Sequence, residues 1–181
     1  LEQDFQYLSH CCLYLGMTVF KDCRIPVFDP YKGEAKLIAV NAGTVLIDSN
    51  LLEDNQEHRY RFTAVHEGSH RVLHADYFEA HANGCAALGA DAAVVQCSSE
   101  IVNRRRGAPR TDNDWLEWQA NRLASILLMP KDVTLRVAIK ADRRGICNAS
   151  QLAVADAFNV SPHAAYYRLV DLNYINPPKR Y

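Results

Sequence analysis

Residues 66–70 of this 181-residue chain read His-Glu-Gly-Ser-His, an H-E-x-x-H motif. On an α-helix, residues four positions apart project from one face, so the imidazoles of His66 and His70 can bind one tetrahedral zinc ion. Glu67 follows the first histidine and is placed to deprotonate a water molecule beside the metal. The motif therefore predicts a helix over this segment and favours a hydrolytic zinc site.

A hydrolytic zinc site uses three protein ligands, so the two histidines need a partner further along the chain. No third histidine follows at the spacing of the extended motif, because Leu73 and Asp76 stand at the relevant places. Glu117 is the favoured candidate, since it comes early in a predicted helix whose rigid backbone can present one carboxylate to the metal. The residues alone leave other candidates open: His74, His81, Cys85, Asp91, Cys97, Glu100 and the acids before that helix.

The segments before the motif are predicted to form one helix and then strands. Apolar residues at helical spacing predict an amphipathic helix within residues 3–20 that ends near Gly16; these residues are Phe5, Leu8, Cys12 and Leu15. Residues 24–49 instead carry short β-branched runs between Gly, Pro, Asn and Asp, which favours strands at Leu37–Val40 and Thr44–Asp48. The intervening Asn41-Ala42-Gly43 is predicted to form a hairpin turn.

A long segment separates the motif from the next strong helix. The helix of the motif is predicted over 58–74, and residues 75–114 are then poorly periodic and contain Arg104-Arg105-Arg106. A structureless loop of that length is unusual in a compact domain, so we expect short helices within it or a functional or mobile insert.

The remaining chain is predicted to be helical. One helix runs from about Asp114 to Met129, with Asp112 or Asp114 as its cap, and another covers 131–140. The tail is predicted to form two helices around Asn159-Val160, with Ser161 as N-cap and Pro162 at the first helical position, a pattern that resembles a helix-turn-helix.

Two blocks of this sequence resemble a known family. They are R-F-T-A-V-H-E-G-S-H-R-V-L-H at residues 61–74 and E-W-Q-A-N-R-L-A-S-I-L-L-M-P at residues 117–130, and they resemble the signature blocks of the ImmA/IrrE family of zinc metallopeptidases. The resemblance extends from the strands near Leu37 to the tail near Ile175. It implies an α+β fold, a small zincin-like metallopeptidase domain with a short mixed sheet and a helical, helix-turn-helix-like C-terminal tail.

The resemblance also implies roles for individual residues. His66, His70 and Glu117 would be the zinc ligands, and Glu67 the general base that deprotonates the attacking water and later protonates the leaving amine. His74 belongs to the family pattern beyond the three ligands, so we expect it beside the metal centre and not on the metal. Characterised family members cleave repressor-type transcription factors in the bacterial cytoplasm, which derepresses mobile-element or stress-response genes.

The chain departs from the family pattern at two places. Gly68-Ser69 stands where the family usually has Leu-Gly, and a glycine inside a helix costs up to about 1 kcal/mol relative to alanine. Glu117 lies 47 positions after His70, a longer separation than is common in the family. We interpret the intervening insert, 75–114, as specific to a subgroup and as a segment that shapes the substrate cleft.

Composition and charge bear on partners and location. The formal net charge is −1, so no global field draws the chain to nucleic acid or to an anionic membrane, and partners must be recognised locally. The six cysteines show no C-x-x-C pair or regular spacing, which favours reduced thiols in a cytoplasm. The first twenty residues lack the basic start of a secretory signal, and no apolar run is long enough to span a bilayer.

The motif and the composition predict a cytoplasmic zinc endopeptidase, with a peptidase domain at 1–147 and a tail segment at 148–181. The family resemblance implies that its partner is a protein, a helix-turn-helix repressor. The alternatives are a non-catalytic regulator that binds a repressor or DNA, and a hydrolase of non-peptide bonds. Direct DNA binding is disfavoured because residues 163–171 offer only Arg168, offset by Asp171. Asn121, the strand edge at Ala39–Asn41, and an oxyanion donor such as His163 or Tyr166 are further candidate contacts with the substrate. The oligomeric state stays open.

Overall fold

The computed structural model describes residues 2–10, 14–81, 94–98, 111–143 and 148–176. It has the predicted α+β fold, with a short mixed sheet and a helical C-terminal segment. The chain forms two compact units, Leu1–Asn121 and Arg122–Tyr181. The domain division inferred from the sequence, 1–147 and 148–181, stays a prediction.

A four-stranded mixed sheet forms the centre of the first unit. Its strands follow the order β1 (Glu2–Gln6), β5 (Thr44–Asp48), β2 (Tyr14–Val19) and β6 (Val94–Ser98). Strand β1 is parallel to β5, whereas β2 is antiparallel to β5 and to β6. Strand β6 comes from 75–114, for which short helices or an insert are predicted, and it forms an edge of the sheet. The interpretation of 75–114 as an insert stays a prediction.

The predicted N-terminal helix within residues 3–20 is wrong. Strands β1 and β2 occupy this region, and β2 lies between two partner strands with residues 16–19 buried. A strand that is covered on both faces is apolar nearly throughout, and such a run also produces apolar residues at helical spacing. The pairing partners of β2 are distant in sequence, so local periodicity could not distinguish the two structures.

A second, two-stranded sheet joins β3 (Cys23–Asp29) to β4 (Glu34–Val40). The strands predicted at Leu37–Val40 and Thr44–Asp48 are confirmed, but the hairpin between them is wrong, because β4 pairs with β3 and β5 pairs with β1 and β2. Gly43 still turns the chain, with a φ of +85° and its N–H bonded to the Val19 carbonyl at 2.8 Å. The turn connects two sheets instead of two partner strands.

The alternation of side chains gives the central sheet two different faces. Met17, Val19 and Leu46 pack with buried residues of β3 and β4, including Ile25 and Val40. On the opposite face, Val45 and Ile47 pack against Leu51, Tyr60 and Ala64, the last two of which lie on the helix α1 (Glu57–His81). Since β-strand side chains alternate, Gly16 and Thr18 also face α1.

Helix α1 confirms the helix predicted at 58–74 and extends it to His81. Helix α2 (Asp112–Leu128) confirms the next one, although its cap differs from the prediction. The Thr111 hydroxyl accepts the Asp114 N–H at 3.2 Å, and the Asp114 carboxylate accepts the Thr111 N–H at 3.0 Å. This reciprocal capping box makes Thr111 the cap, and Asp114 its partner in the first turn.

The second unit holds helices α3 (Lys131–Asp142), α4 (Ala149–Phe158) and α5 (Pro162–Asp171). The predicted pair of tail helices is confirmed: Asn159 ends α4 in the left-handed region, and the Ser161 hydroxyl caps α5 by accepting the Ala164 N–H. The core of this unit is apolar and consists of Met129, Ala138, Val154, Ala155, Val160, Ala165 and Leu169.

Two further observations concern the predicted reduced thiols and the predicted lack of a membrane span. Cys23 carries a free thiol. Among the helices in the described part of the chain, none is long and apolar enough to cross a membrane.

Candidate metal centre

Helix α1 positions three of the four predicted site residues. His66, Glu67 and His70 are all buried, with at most 1% of each side chain exposed. The helical repeat puts both imidazoles on one face, and their Nε2 atoms are 3.0 Å apart. Burying this much polar surface is costly unless the groups serve one another or a ligand.

Helix α2 supplies the carboxylate predicted as the third ligand. Glu117 Oε2 lies 3.3 Å from His66 Nε2, and Glu117 Oε1 lies 3.4 Å from His70 Nε2. Ligand atoms bound tetrahedrally at the usual zinc distances are roughly 3.3 Å from one another, so the three observed separations match that geometry. His66, His70 and Glu117 therefore fit a metal ion of this kind.

The charge states of these side chains also suit a metal. Burial lowers the pKa of His70 to about 4, so its imidazole is neutral at pH 7. Burial acts to raise the pKa of Glu117, but its contacts with His66 and His70 outweigh this effect and lower the pKa to about 2. A neutral imidazole and an ionised carboxylate are the forms that bind metal.

Glu67 is held by strand β2. Thr18 donates its hydroxyl hydrogen to Glu67 Oε2 at 2.6 Å, and the same hydroxyl oxygen lies 3.0 Å from the Glu67 backbone carbonyl. Gly16 makes room for the carboxylate, because a Cβ at this position would lie 2.6 Å from Glu67 Oε1. Among the described residues, Glu67 Oε1 has no hydrogen-bond partner.

The environment of Glu67 changes its acidity. Burial raises the pKa of this carboxyl to about 7, against the opposing effects of His66 and of the Thr18 hydrogen bond. A carboxyl that gains and loses a proton near neutral pH is suited to general acid and base catalysis. Strongly perturbed groups of this sort cluster at functional sites.

His74 lies next to the three ligand candidates and does not join them. Its Nδ1 is 3.0 Å from His70 Nδ1, and its Nε2 is 2.9 Å from Gln119 Oε1. His74 thus contacts the ring nitrogen of His70 that faces away from Glu117. This arrangement agrees with the expectation that His74 lies beside the metal centre and not on the metal.

Sequence reasoning missed three residues around the site: Gly16, Thr18 and Gln119. A signal existed for Gly16, because a glycine inside a strand often marks a close approach of another group. The helical spacing of the neighbouring apolar residues predicts a helix that ends near Gly16, and this wrong prediction conceals the signal. Thr18 and Gln119 carry no local motif, and they become relevant only when β2 and α2 pack on α1.

Several other candidates lie outside this cluster. Ala39 pairs with Arg24 in the two-stranded sheet, and the role of the strand edge at Ala39–Asn41 as a contact with the substrate stays a prediction. His163 and Tyr166 belong to α5 of the second unit, and their role as oxyanion donors stays a prediction. Other candidates fall outside the described residues or side chains: His81, Cys85, Asp91, Cys97, Glu100 and 104–106.

Comparison with known proteins adds one match. The family model Peptidase_M78, described as the IrrE N-terminal-like domain, matches residues 28–170, which include every residue of the candidate metal centre. No curated protein and no solved structure shows significant similarity to the chain.

Proposed function

We propose that this chain is a zinc-dependent endopeptidase which cuts a specific protein. The proposal proceeds from the family to which the chain belongs, the Peptidase_M78 family of IrrE N-terminal-like metallopeptidase domains. The observation that carries the proposal is the convergence of His66, His70 and Glu117 beside the buried carboxyl of Glu67. A site built only to bind metal needs the first three residues. A site built to hydrolyse also needs a base, and Glu67 is suited to be one.

His66, His70 and Glu117 would hold the zinc ion, with one coordination position left for water or substrate. When bound, the zinc ion supplies Lewis-acid chemistry, which polarises the scissile carbonyl group and lowers the pKa of water. Bound through two imidazoles and one carboxylate, a divalent cation would keep a net positive charge, so this ligand set would favour negative charge on a carbonyl oxygen beside it.

Glu67 would move the proton. Its Oε2 is held by the Thr18 hydroxyl, which leaves Oε1 available, and this oxygen has no other hydrogen-bond partner among the described residues. Glu67 accepts a proton from the attacking water and then donates it to the nitrogen of the leaving amine, so the carboxylate is regenerated in each cycle. In the metal-free chain burial raises the pKa of Glu67 to about 7, and a buried carboxyl of raised pKa is suited to perform both transfers.

The proposed substrate is a repressor-type, helix-turn-helix transcription regulator in the cytoplasm, whose cleavage would change transcription of a mobile element or a stress response. The resemblance to characterised ImmA/IrrE peptidases supports this choice. Charge supports a protein partner over DNA, because Arg168, the one Lys or Arg of α5, is buried and donates its Nε–H to the Met129 carbonyl at 2.9 Å. A guanidinium engaged in that way is not presented to phosphate groups.

The test uses a panel of purified helix-turn-helix repressors from the genome that encodes this chain. The purified, zinc-loaded protein should cleave one of them at a defined bond, and a chelator should abolish cleavage. The Glu67→Gln variant should cleave about 1,000-fold more slowly and keep its zinc, because the ligands remain and only the base is lost. Glu57→Gln is the matched control, since Glu57 is an exposed acid in the first turn of the same helix.

Two outcomes would contradict the proposal. An unchanged cleavage rate in Glu67→Gln would remove Glu67 from the proton transfer. Stable binding of the repressor without cleavage by the zinc-loaded protein would favour the alternative, a non-catalytic regulator on a metallopeptidase scaffold.

A further inference from the structure

Gln119 ends a chain of hydrogen bonds that begins at a proposed metal ligand. The chain runs from His70 Nδ1 to His74 Nδ1 over 3.0 Å, and from His74 Nε2 to Gln119 Oε1 over 2.9 Å. His70 and His74 are buried, whereas Gln119 lies on the exposed side of α2. This chain of hydrogen bonds therefore links α1 to α2 outside the cluster of ligand atoms formed by His66, His70 and Glu117.

The chemical groups dictate the direction of this chain. A carbonyl oxygen only accepts hydrogen bonds, so His74 Nε2 must carry a hydrogen to donate to Gln119 Oε1. The contact between His70 Nδ1 and His74 Nδ1 needs one donor and one acceptor, and a neutral His74 has its single N–H on Nε2, which leaves His74 Nδ1 as the acceptor. The hydrogen between the two rings then belongs to His70 Nδ1.

This direction decides what His70 presents to Glu117 and His66. With its hydrogen on Nδ1, neutral His70 has a lone pair on Nε2, the atom that lies 3.0 Å from His66 Nε2 and 3.4 Å from Glu117 Oε1. If the amide group of Gln119 faced His74 with its NH₂, every bond in the chain would reverse. A hydrogen would then occupy His70 Nε2 and block that atom as a ligand.

We propose that Gln119, acting through His74, is a positioning residue that fixes the tautomer and ring orientation of His70 and thereby raises the affinity of the site for zinc. The inference rests on the proposed function only for the identity of the metal site, since it concerns binding and not hydrolysis. Outer partners of this kind typically change metal affinity 10- to 100-fold.

The experiment measures zinc affinity of the full chain by competition with a chromogenic chelator, without any substrate. Gln119→Met removes the acceptor at similar size and should weaken zinc binding about 10- to 100-fold. Gln119→Glu keeps an acceptor that cannot reverse the chain, and it should bind zinc at least as tightly as the parent. Asn113→Met, an exposed amide replaced in the first turn of the same helix, is the matched control and should change nothing.

A cycle of variants separates a relay from independent contacts. His74→Leu should weaken zinc binding about as much as Gln119→Met, and the double variant should be no weaker than His74→Leu alone, because Gln119 acts only through His74. In the parent protein, nitrogen NMR of the zinc-loaded chain should show His74 protonated at Nε2 and unprotonated at Nδ1. This spectrum requires no variant, so misfolding of a substituted protein leaves the inference testable.

Three results would overturn the inference: parental affinity in Gln119→Met, additive losses in the double variant, or His74 protonated at Nδ1. If either of the first two results is obtained and the parent protein binds zinc normally, the proposed peptidase function is not contradicted. Failure of the parent protein to bind zinc would overturn both. Loss of cleavage in Glu67→Gln is independent of all these measurements.

Discussion

The first unit, Leu1–Asn121, buries polar side chains at its centre, whereas the second unit, Arg122–Tyr181, is built around small apolar ones. In the first unit, the buried set around α1 includes Thr18, His66, Glu67, His70 and His74. A buried polar group costs stability when it lacks a partner, and Glu67 Oε1 has none among the described residues, so this unit gives up folding free energy at the place where the ligands converge. The side chains suited to metal binding and proton transfer therefore lie in one unit, and the mainly apolar core of the other unit is formed by a later part of the chain.

The second unit also buries Thr134, Ser150 and Arg168, and Arg168 is the charged member of this set. Arg168 is buried, but its Nε–H is satisfied by the Met129 carbonyl, so the side chain acts as a structural connection between α5 and the end of α2. In contrast, Glu67 Oε1 is buried with no hydrogen-bond partner among the described residues. A buried charge whose hydrogen bonds are satisfied is typical of a structural residue, whereas a buried acceptor without a partner is typical of a functional site.

The largest effect on stability is expected in the apolar unit. Leu169→Ala should lower the free energy of unfolding of this unit by about 4 kcal/mol, because the side chain is fully buried in its core. Leu152→Ala is the matched control: the residue type is the same, 55% of Leu152 is exposed, and we expect a change within about 0.5 kcal/mol. Hydrogen exchange in α4 and α5 measures the free energy of unfolding of both variants. Equal decreases in the two variants would show that Leu169 does not lie in the core of this unit.

The next effect should distinguish the two units by pH. In the metal-free protein, Glu67 has a pKa of about 7 against an ordinary value of 4.5, so the native state binds a proton that the unfolded state has released. The resulting stabilisation is fully present below pH 4.5 and is lost as the pH rises through 7, which amounts to about 3 kcal/mol. The unfolding free energy of the parent relative to Glu67→Gln should fall by that amount over this range.

Tryptophan fluorescence can follow this change, since both tryptophans of the chain, Trp115 and Trp118, lie in the first unit. The pKa of His70 is lowered to about 4, so its contribution to the unfolding free energy is present above pH 6.5 and is lost as the pH falls from 6.5 through 4. That contribution occurs in both proteins and cancels in the difference. A difference that is independent of pH would show that Glu67 is not buried as the structure describes.

The third prediction tests the close contact between β2 and the base. Gly16→Ala places a Cβ 2.6 Å from Glu67 Oε1 and 2.7 Å from Glu67 Cγ, so the carboxylate must move. We expect cleavage to slow about 100-fold, the size of effect that a displacement of about 1 Å produces, with zinc content unchanged. Cleavage at the parental rate would show that the position of this carboxylate is not critical.

Gly68→Ala is the control within the same site region. No atom lies within 4 Å of a Cβ at this position, and the backbone is helical, so alanine fits without strain. The substitution should leave the cleavage rate unchanged and raise the unfolding free energy by up to about 1 kcal/mol. The same change, glycine to alanine, therefore has opposite consequences at two places that both lie near Glu67.

Much of the candidate site could be predicted from the sequence because it is encoded by local spacing. His66, Glu67 and His70 follow from the helical repeat, and Glu117 from its position in a well-defined helix together with the family resemblance. The tail helices could also be predicted, since Asn159, Ser161 and Pro162 carry their conformational preferences with them. All of these elements appear in the structure, while the roles of the site residues stay a proposal.

The predictions that failed involve distant partners. The local pattern predicts a helix in place of β2 and a hairpin between β4 and β5. Both predictions are wrong, because the structure of each segment depends on which strand lies beside it in the sheet. Residues 16–19 of β2 are buried between β5 and β6, which are some thirty and eighty residues away along the chain. No local pattern contains that information.

The sequence by itself determined the chemistry of this protein: which residues can bind a metal, which can serve as a base, and which helix carries them. Only the tertiary structure decided how those groups are tuned. Thr18, Gly16 and Gln119 act on Glu67 and His70 from other elements, and their effects arise from burial and from distances of about 3 Å. Hydrogen bonds and desolvation depend on position in space, so they exist only once the strands and helices have packed.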